Sequence, residues 1–61
     1  MLVNVIFKNK ETQLEEVGEL RIPSGDIACF YKDKYGTYVT MLSGKSYKVT
    51  QTIEQLQYLQ D

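Results

Sequence analysis

The chain has 61 residues, which limits it to one small domain over residues 1–61 and excludes multi-domain enzymes with deep clefts. Its residues are 43% hydrophobic and 25% charged, a globular balance that excludes a disordered tail or a collagen-like repeat. Seven basic and eight acidic residues leave a net charge of -1, so no overall positive field attracts nucleic acid or an anionic membrane.

The first predicted element is a strand over residues 2–8, which is rich in β-branched and aromatic residues and precedes a polar turn at 9–12. Both of its faces are apolar, with Val3, Val5 and Phe7 on one side and Leu2 and Ile6 on the other. We expect such a strand to be covered on both sides, by the fold or by a second copy. The segment has neither a basic leader nor a small-residue cleavage site, so we expect a cytoplasmic protein rather than a secreted one.

The sequence pattern in the middle of the chain predicts one further strand and one element that fits either a strand or a helix. Residues 13–22 have a mixed apolar spacing that fits either a strand or a short helix, and we favour a strand. Residues 23–26 form a turn, and residues 27–31 form a short apolar strand. Cys29 lies in this strand, where we expect a small buried hydrophobe without chemistry.

The clearest local signal is a hairpin over residues 37–50, with Ser43-Gly44 as a two-residue loop. That loop length places Thr40 opposite Tyr47. The face predicted to form the core then contains Tyr38, Leu42, Tyr47 and Val49. The opposite face contains Val39 and Met41 beside Ser46 and Lys48. Because this second face is half apolar, we expect it to receive a second layer or a partner.

A C-terminal helix is predicted to begin at Thr52. Thr52 and Gln55 have the spacing of a capping box, and Ile53, Leu56 and Leu59 follow on one stripe. The predicted fold class is therefore α+β and mostly β: a small antiparallel sheet of four to five strands, mostly a meander, with one short C-terminal helix.

The second half of the chain, roughly residues 20 to 59, carries a recognisable series of short motifs. They are Leu20-Arg21-Ile22-Pro23, Asp26-Ile27, Tyr38-Val39-Thr40, Gly44-Lys45-Ser46-Tyr47-Lys48-Val49, Thr52-Ile53 and Leu56. This series resembles the front part of the LytTR family of bacterial DNA-binding domains, and it is also similar to small FlbD-type bacterial and phage proteins. The resemblance implies the order of elements and a bacterial or phage origin. It does not imply DNA binding, because the strand that completes the LytTR DNA-binding region has no counterpart among these 61 residues.

No catalytic, metal or cofactor site is predicted, because the chain has no His, one Cys and no recognisable nucleophile-base pair. By elimination we expect a non-catalytic regulatory protein that acts by protein-protein contact, with Val39 and Met41 as partner-binding residues and a homodimer as its assembly. The alternative is a nucleic-acid-binding module with aromatic and basic residues on one surface. Its candidate residues are Tyr31, Lys32, Lys34, Tyr35, Lys45 and Lys48.

Four carboxylates lie close together in the first third of the chain, at Glu11, Glu15, Glu16 and Glu19. They could dock on a basic protein or imitate phosphates. We favour the simpler interpretation that they line a strand edge and discourage aggregation.

Overall fold

A computed structural model, which describes residues 1–59, contains five strands, one 3-10 turn and one α-helix. The strands are β1 (Leu2–Lys8), β2 (Glu15–Arg21), β3 (Ile27–Asp33), β4 (Gly36–Met41) and β5 (Ser46–Val49). The 3-10 turn is Ser24–Asp26 and the helix, α1, is Ile53–Leu59. All strand pairs are antiparallel, so the predicted fold class is confirmed.

The five strands form one sheet in the order β2-β1-β5-β4-β3. β1 and β2 form a hairpin, and the expected meander is limited to β3, β4 and β5. The two units join where Val5 pairs with Val49 and where the Thr50 amide donates to the Asn4 carbonyl at 2.9 Å. Residues 13–22, whose spacing fits either a strand or a short helix, contain the strand β2. Consequently β2 and β3 are the two edges of the sheet.

The core lies between α1 and one face of the sheet, which we call the inner face. Its fully or almost fully buried side chains are Val3, Ile22, Val39, Val49 and Leu56. Leu56 is the helix residue that reaches this cluster, and the sheet members alternate with residues of the opposite, outer face. Complete burial of one such side chain stabilises the fold by about 1.5–3 kcal/mol, so a core of this size leaves a small margin.

The predicted register of the β4–β5 hairpin is wrong by one residue. Val39 lies opposite Tyr47, and Tyr38 lies opposite Lys48. A shift of one residue moves every side chain of a strand to the other face. Val39 is therefore in the core with 0% exposure, whereas Tyr38 lies on the outer face and is half-buried. Leu42, also predicted to be in the core, lies in the turn and is 68% exposed.

The reason for the shift is the backbone conformation of the turn. Gly44 has φ +94°, and the Met41 amide donates to the Lys45 carbonyl at 2.7 Å, so three residues (42–44) form the loop. A two-residue type I′ loop would need positive φ at Ser43 as well, which only glycine and a few polar residues adopt easily. In the three-residue loop only Gly44 has a positive φ, which glycine adopts without steric cost.

The start of α1 confirms the predicted capping box. The Thr52 amide donates to Gln55 Oε1 at 2.9 Å, and the Gln55 amide donates to Thr52 Oγ1 at 3.2 Å. Both bonds satisfy amides that the first turn of a helix leaves unpaired. Because the helix has only seven residues, it depends on this cap and on Leu56 for its position.

Truncation of Val39 tests the observed register. We expect Val39→Ala to lower the free energy of unfolding by about 2 kcal/mol, because it opens a cavity in the core. Thr40→Ala, on the outer face of the same strand, should cost less than about 1 kcal/mol. Urea unfolding followed by circular dichroism measures both, and the opposite ranking would support the two-residue loop.

Removal of the helix cap has a separate, smaller effect. We expect Thr52→Ala to lower the free energy of unfolding by about 1 kcal/mol, because the Gln55 amide loses its acceptor. Gln57→Ala, at an exposed helix position outside the cap, is the matched control and should be close to neutral. Equal losses in the two variants would show that the cap does not hold the helix.

Candidate interaction surface

One row of side chains crosses the whole outer face of the sheet. Ile6 lies opposite Val17, Tyr38 lies opposite Lys48, and Tyr31 lies opposite Tyr38. The bridge between β1 and β5 places Ile6 beside Lys48. Because directly opposite residues share a face, all five side chains belong to one line across the strands. We call this line, Val17–Ile6–Lys48–Tyr38–Tyr31, the outer-face row.

The outer-face row is open because α1 packs against the other face of the sheet. Val17 is 60% exposed and Tyr31 is 42% exposed at its two ends. The three inner members are half-buried by their neighbours within the sheet. Four of the five residues are apolar or aromatic, so the described part of the chain leaves an apolar stripe uncovered that is interrupted by Lys48 alone.

Polar side chains flank the outer-face row. On one side, Thr40 Oγ1 and Ser46 Oγ form a hydrogen bond of 3.0 Å. On the other side, Glu19 lies opposite Asn4. A central apolar stripe with a polar border is the usual composition of a protein interface, in which the border remains in contact with water.

The aromatic half of the row is ordered by two close contacts. The rings of Tyr31 and Tyr38 are stacked, with centroids 4.9 Å apart and an interplanar angle of 13°. A Cβ built on Gly36 would lie 2.9 Å from Lys48 Cε, so the aliphatic stem of Lys48 lies directly over this glycine. Gly36 has φ +149° and lacks a side chain, which allows the Lys48 stem to cross β4 beside the Tyr38 ring.

The Tyr38 phenol has a perturbed pKa. Partial burial raises its pKa above the ordinary value of 10.0, and the Asp33 carboxylate, Tyr31 and Tyr35 add to the rise. The Asp33 carboxylate is held nearby because it accepts from the Tyr35 amide at 2.8 Å and the Gly36 amide at 3.2 Å. The Tyr38 hydroxyl is therefore neutral at physiological pH, where it can donate a hydrogen bond to a bound partner.

A second apolar site lies on the inner face, over β1 and β2. It is a groove of about 250 Å³ lined by Val5, Phe7, Gly18, Glu19, Leu20 and Tyr47. Phe7 is 44% exposed there. A Cβ on Gly18 would lie 3.1 Å from Phe7 Cε1, so the glycine gives room to this ring. The groove therefore extends the core surface to the edge of the sheet.

A third apolar surface lies on the exposed side of α1. Gln51, Glu54, Gln55, Tyr58 and Leu59 line a cavity of about 370 Å³. Tyr58 is 84% exposed and Leu59 is 47% exposed. This surface lies next to the end of the described residues, whereas the outer-face row is formed entirely by strands.

The two predicted partner-binding residues lie elsewhere than expected. Val39 is fully buried in the core, and Met41 is partly buried against it on the inner face. The exposed face predicted for Val39 and Met41 is wrong, because it depended on the two-residue loop, and their role in partner binding stays a prediction. The open face of the sheet is formed by other residues. One of them is Tyr38, for which the sequence predicts a position in the core.

The six residues of the nucleic-acid alternative do not form one surface. Only Tyr31 and Lys48 lie in the outer-face row. Lys32 lies opposite the buried Thr37 and thus on the inner side of β3. Lys34 and Tyr35 form the β3–β4 turn, where Lys34 Nζ lies 5.0 Å from the centroid of the Tyr35 ring.

Lys45, the remaining member of that set, lies at the other hairpin. Its Nζ is 5.1 Å from the centroid of the Tyr47 ring, on the inner side of the sheet. Cys29 also differs from the expectation of burial, since it is free and exposed. Its face explains the difference, because Cys29 lies opposite Thr40 on the outer face, whereas Phe30 next to it lies opposite the buried Val39.

Two features of residues 1–59 bear on the kind of site present. Among residues 1–59, no three or more His, Cys, Asp or Glu side chains are grouped so that they could hold a metal ion. No helix in the same range is long and apolar enough to cross a membrane.

Comparison with known proteins gives no significant match to any protein-family model, curated protein or solved structure. The resemblance to LytTR and FlbD-type proteins therefore stays a prediction that depends on the sequence motifs alone.

The raised pKa of Tyr38 predicts a pH-dependent loss of stability. The folded state favours the neutral phenol, so this stabilisation is complete below pH 10.0 and is lost as the pH rises through the higher pKa of the folded state. We expect the stability of the wild type to fall relative to Tyr38→Phe above pH 10.0. Urea unfolding of both proteins at neutral and alkaline pH measures the difference. A constant difference across that range would contradict the assigned environment of Tyr38.

Proposed function

We propose that this protein is a non-catalytic binding module that regulates another protein through direct contact. We further propose that it acts in the cytoplasm and is a bacterial or phage accessory protein that modulates a host partner. The origin follows the LytTR-like and FlbD-like sequence motifs.

The observation that carries this proposal is the outer-face row. A small domain gains little from large apolar side chains that remain in water, yet Val17 and Tyr31 are exposed at the two ends of this row. A protein partner laid across the sheet would cover the stripe and leave its polar border hydrated. Tyrosine suits such a surface, because it offers a large rigid contact area together with one polar group.

The chemistry of the row specifies the partner surface. Lys48 is the only charged residue in the row, and it lies between the aliphatic half (Val17 and Ile6) and the aromatic half (Tyr38 and Tyr31). We propose a partner that presents apolar side chains on both sides of one carboxylate. The carboxylate would pair with the Lys48 ammonium group, which fixes the orientation and register of the complex.

A second candidate function is binding of single-stranded nucleic acid. The stacked Tyr31 and Tyr38 rings next to Lys48 are the observation that favours it, because aromatic side chains stack on bases and lysine pairs with phosphates. The net charge of -1 and the separation of the other basic candidates favour the protein partner.

Capture from a bacterial lysate tests the proposal and separates the two candidates. The tagged protein should retain a stoichiometric protein that resists nuclease and is only partly displaced by high salt, because salt screens the single Lys48 ion pair but not the apolar contact. Val17→Asp and Lys48→Glu should each reduce the retained amount by about tenfold or more. Mass spectrometry with and without nuclease measures the retained species.

Leu42→Asp is the matched control, because Leu42 is 68% exposed but lies in the β4–β5 turn, away from the row. It should retain as much partner as the wild type. Equal loss in all three variants, or no loss in any, contradicts the assignment of the row. Retention that nuclease or salt abolishes supports the nucleic-acid candidate instead.

A further inference from the structure

The two edges of the sheet differ in how well they are protected from pairing with another chain. β2 carries charged residues at four of its seven positions: Glu15, Glu16, Glu19 and Arg21. β3 has an uncharged run from Ile27 to Tyr31, and its charges, Lys32 and Asp33, are confined to its end. Charged side chains along an edge are a common protection against strand addition, so β3 is the less protected edge.

The free edge of β3 is accessible over most of its length. Only Ile27 and Phe30 are half-buried, and the other five residues are exposed. The pairing of β3 with β4 shifts in register between Ile27 and Cys29, so the regular part of the strand is residues 29–33. Because the backbone groups of alternate residues in an antiparallel pair point toward the partner strand, every second residue of this segment presents an unpaired N–H and C=O on the side away from β4.

We propose that a second copy of this chain pairs antiparallel with β3, centred on Tyr31, and forms a two-fold symmetric dimer with a ten-stranded sheet. The centre follows from symmetry, because a two-fold axis across an antiparallel pair places one residue opposite itself. Tyr31 is the middle of the regular segment 29–33, so this is the arrangement in which all five residues pair.

Neighbouring registers are less favourable. An axis at Lys32 or Asp33 would place like charges directly opposite each other, which destabilises a strand pair. An axis at Phe30 or at Cys29 would bring the irregular Ile27–Cys29 segment into the pairing. The Tyr31 register instead gives a cross-strand pair of aromatic residues, and it places Asp33 opposite Cys29 of the second copy.

This dimer would also extend the outer-face row. Tyr31 is the last member of the row on β3, so its pairing with Tyr31 of the second copy joins two rows into one. α1 packs beside β3 on the inner face, so the two helices would flank the new strand pair. The dimer uses the edge of the sheet and the partner proposed above uses its open face, and the two surfaces share Tyr31.

Complementary charges at the symmetry centre test the proposal. The wild type should have the native mass of a dimer by analytical ultracentrifugation. Tyr31→Lys alone and Tyr31→Glu alone should each be monomeric, because two like charges then meet at the axis. An equimolar mixture should recover the dimer, since each heterodimer places Lys opposite Glu. Recovery on mixing also shows that both variants are folded.

Val17→Lys and Val17→Glu are the matched controls on the opposite edge strand, and both should remain dimeric. A second pair of variants tests the register without change to the Tyr31–Tyr38 stack. Cys29→Lys should form a tighter dimer and Cys29→Asp a weaker one, with dissociation constants about tenfold apart, because each faces Asp33 of the second copy. A monomeric wild type, a dimer that persists in Tyr31→Lys, or a dimer lost in the Val17 variants would overturn the proposal.

Discussion

The positive φ of Gly44 determines which residues of the β4–β5 hairpin enter the core. With φ +94° at this one residue, the turn takes three residues and the Met41 amide reaches the Lys45 carbonyl. The register that follows sends Val39 to the inner face and Tyr38 to the outer face. A turn one residue shorter would exchange them, because the side-chain period of a strand is two. The core, the helix contact and the open surface all depend on this choice.

The small size of the domain explains why one face remains open. One seven-residue helix covers only part of the inner face, where Leu56 meets Val3 and Val39. The outer face has no second layer among residues 1–59, although its central row is apolar at four of five positions. Large exposed apolar stripes are uncommon on small monomers and common on proteins that bind others. Because the domain has one short helix and no second layer on the outer face among residues 1–59, its core is small and a surface remains available for a partner.

Most of the fold could be predicted from local residue patterns. The strand over residues 2–8 and the Thr52–Gln55 cap depend on short-range preferences, and both have the predicted bounds or contacts. The face assignment of β4 could not be predicted in the same way, because the loop length depends on whether Ser43 adopts a positive φ. The pairing of β5 with β1 is a long-range contact that no local pattern encodes.

The candidate site was missed for the same reason. Alternation correctly grouped Ser46 with Lys48 on β5, but the wrong register joined them to Val39 instead of Tyr38. Cross-strand nuclear Overhauser effects between β4 and β5 test this register most directly. The register requires contacts between the backbones of Tyr38 and Lys48 and of Val39 and Tyr47. Contacts that pair Tyr38 with Val49 and Thr40 with Tyr47 would contradict it, because they would return Val39 to the surface.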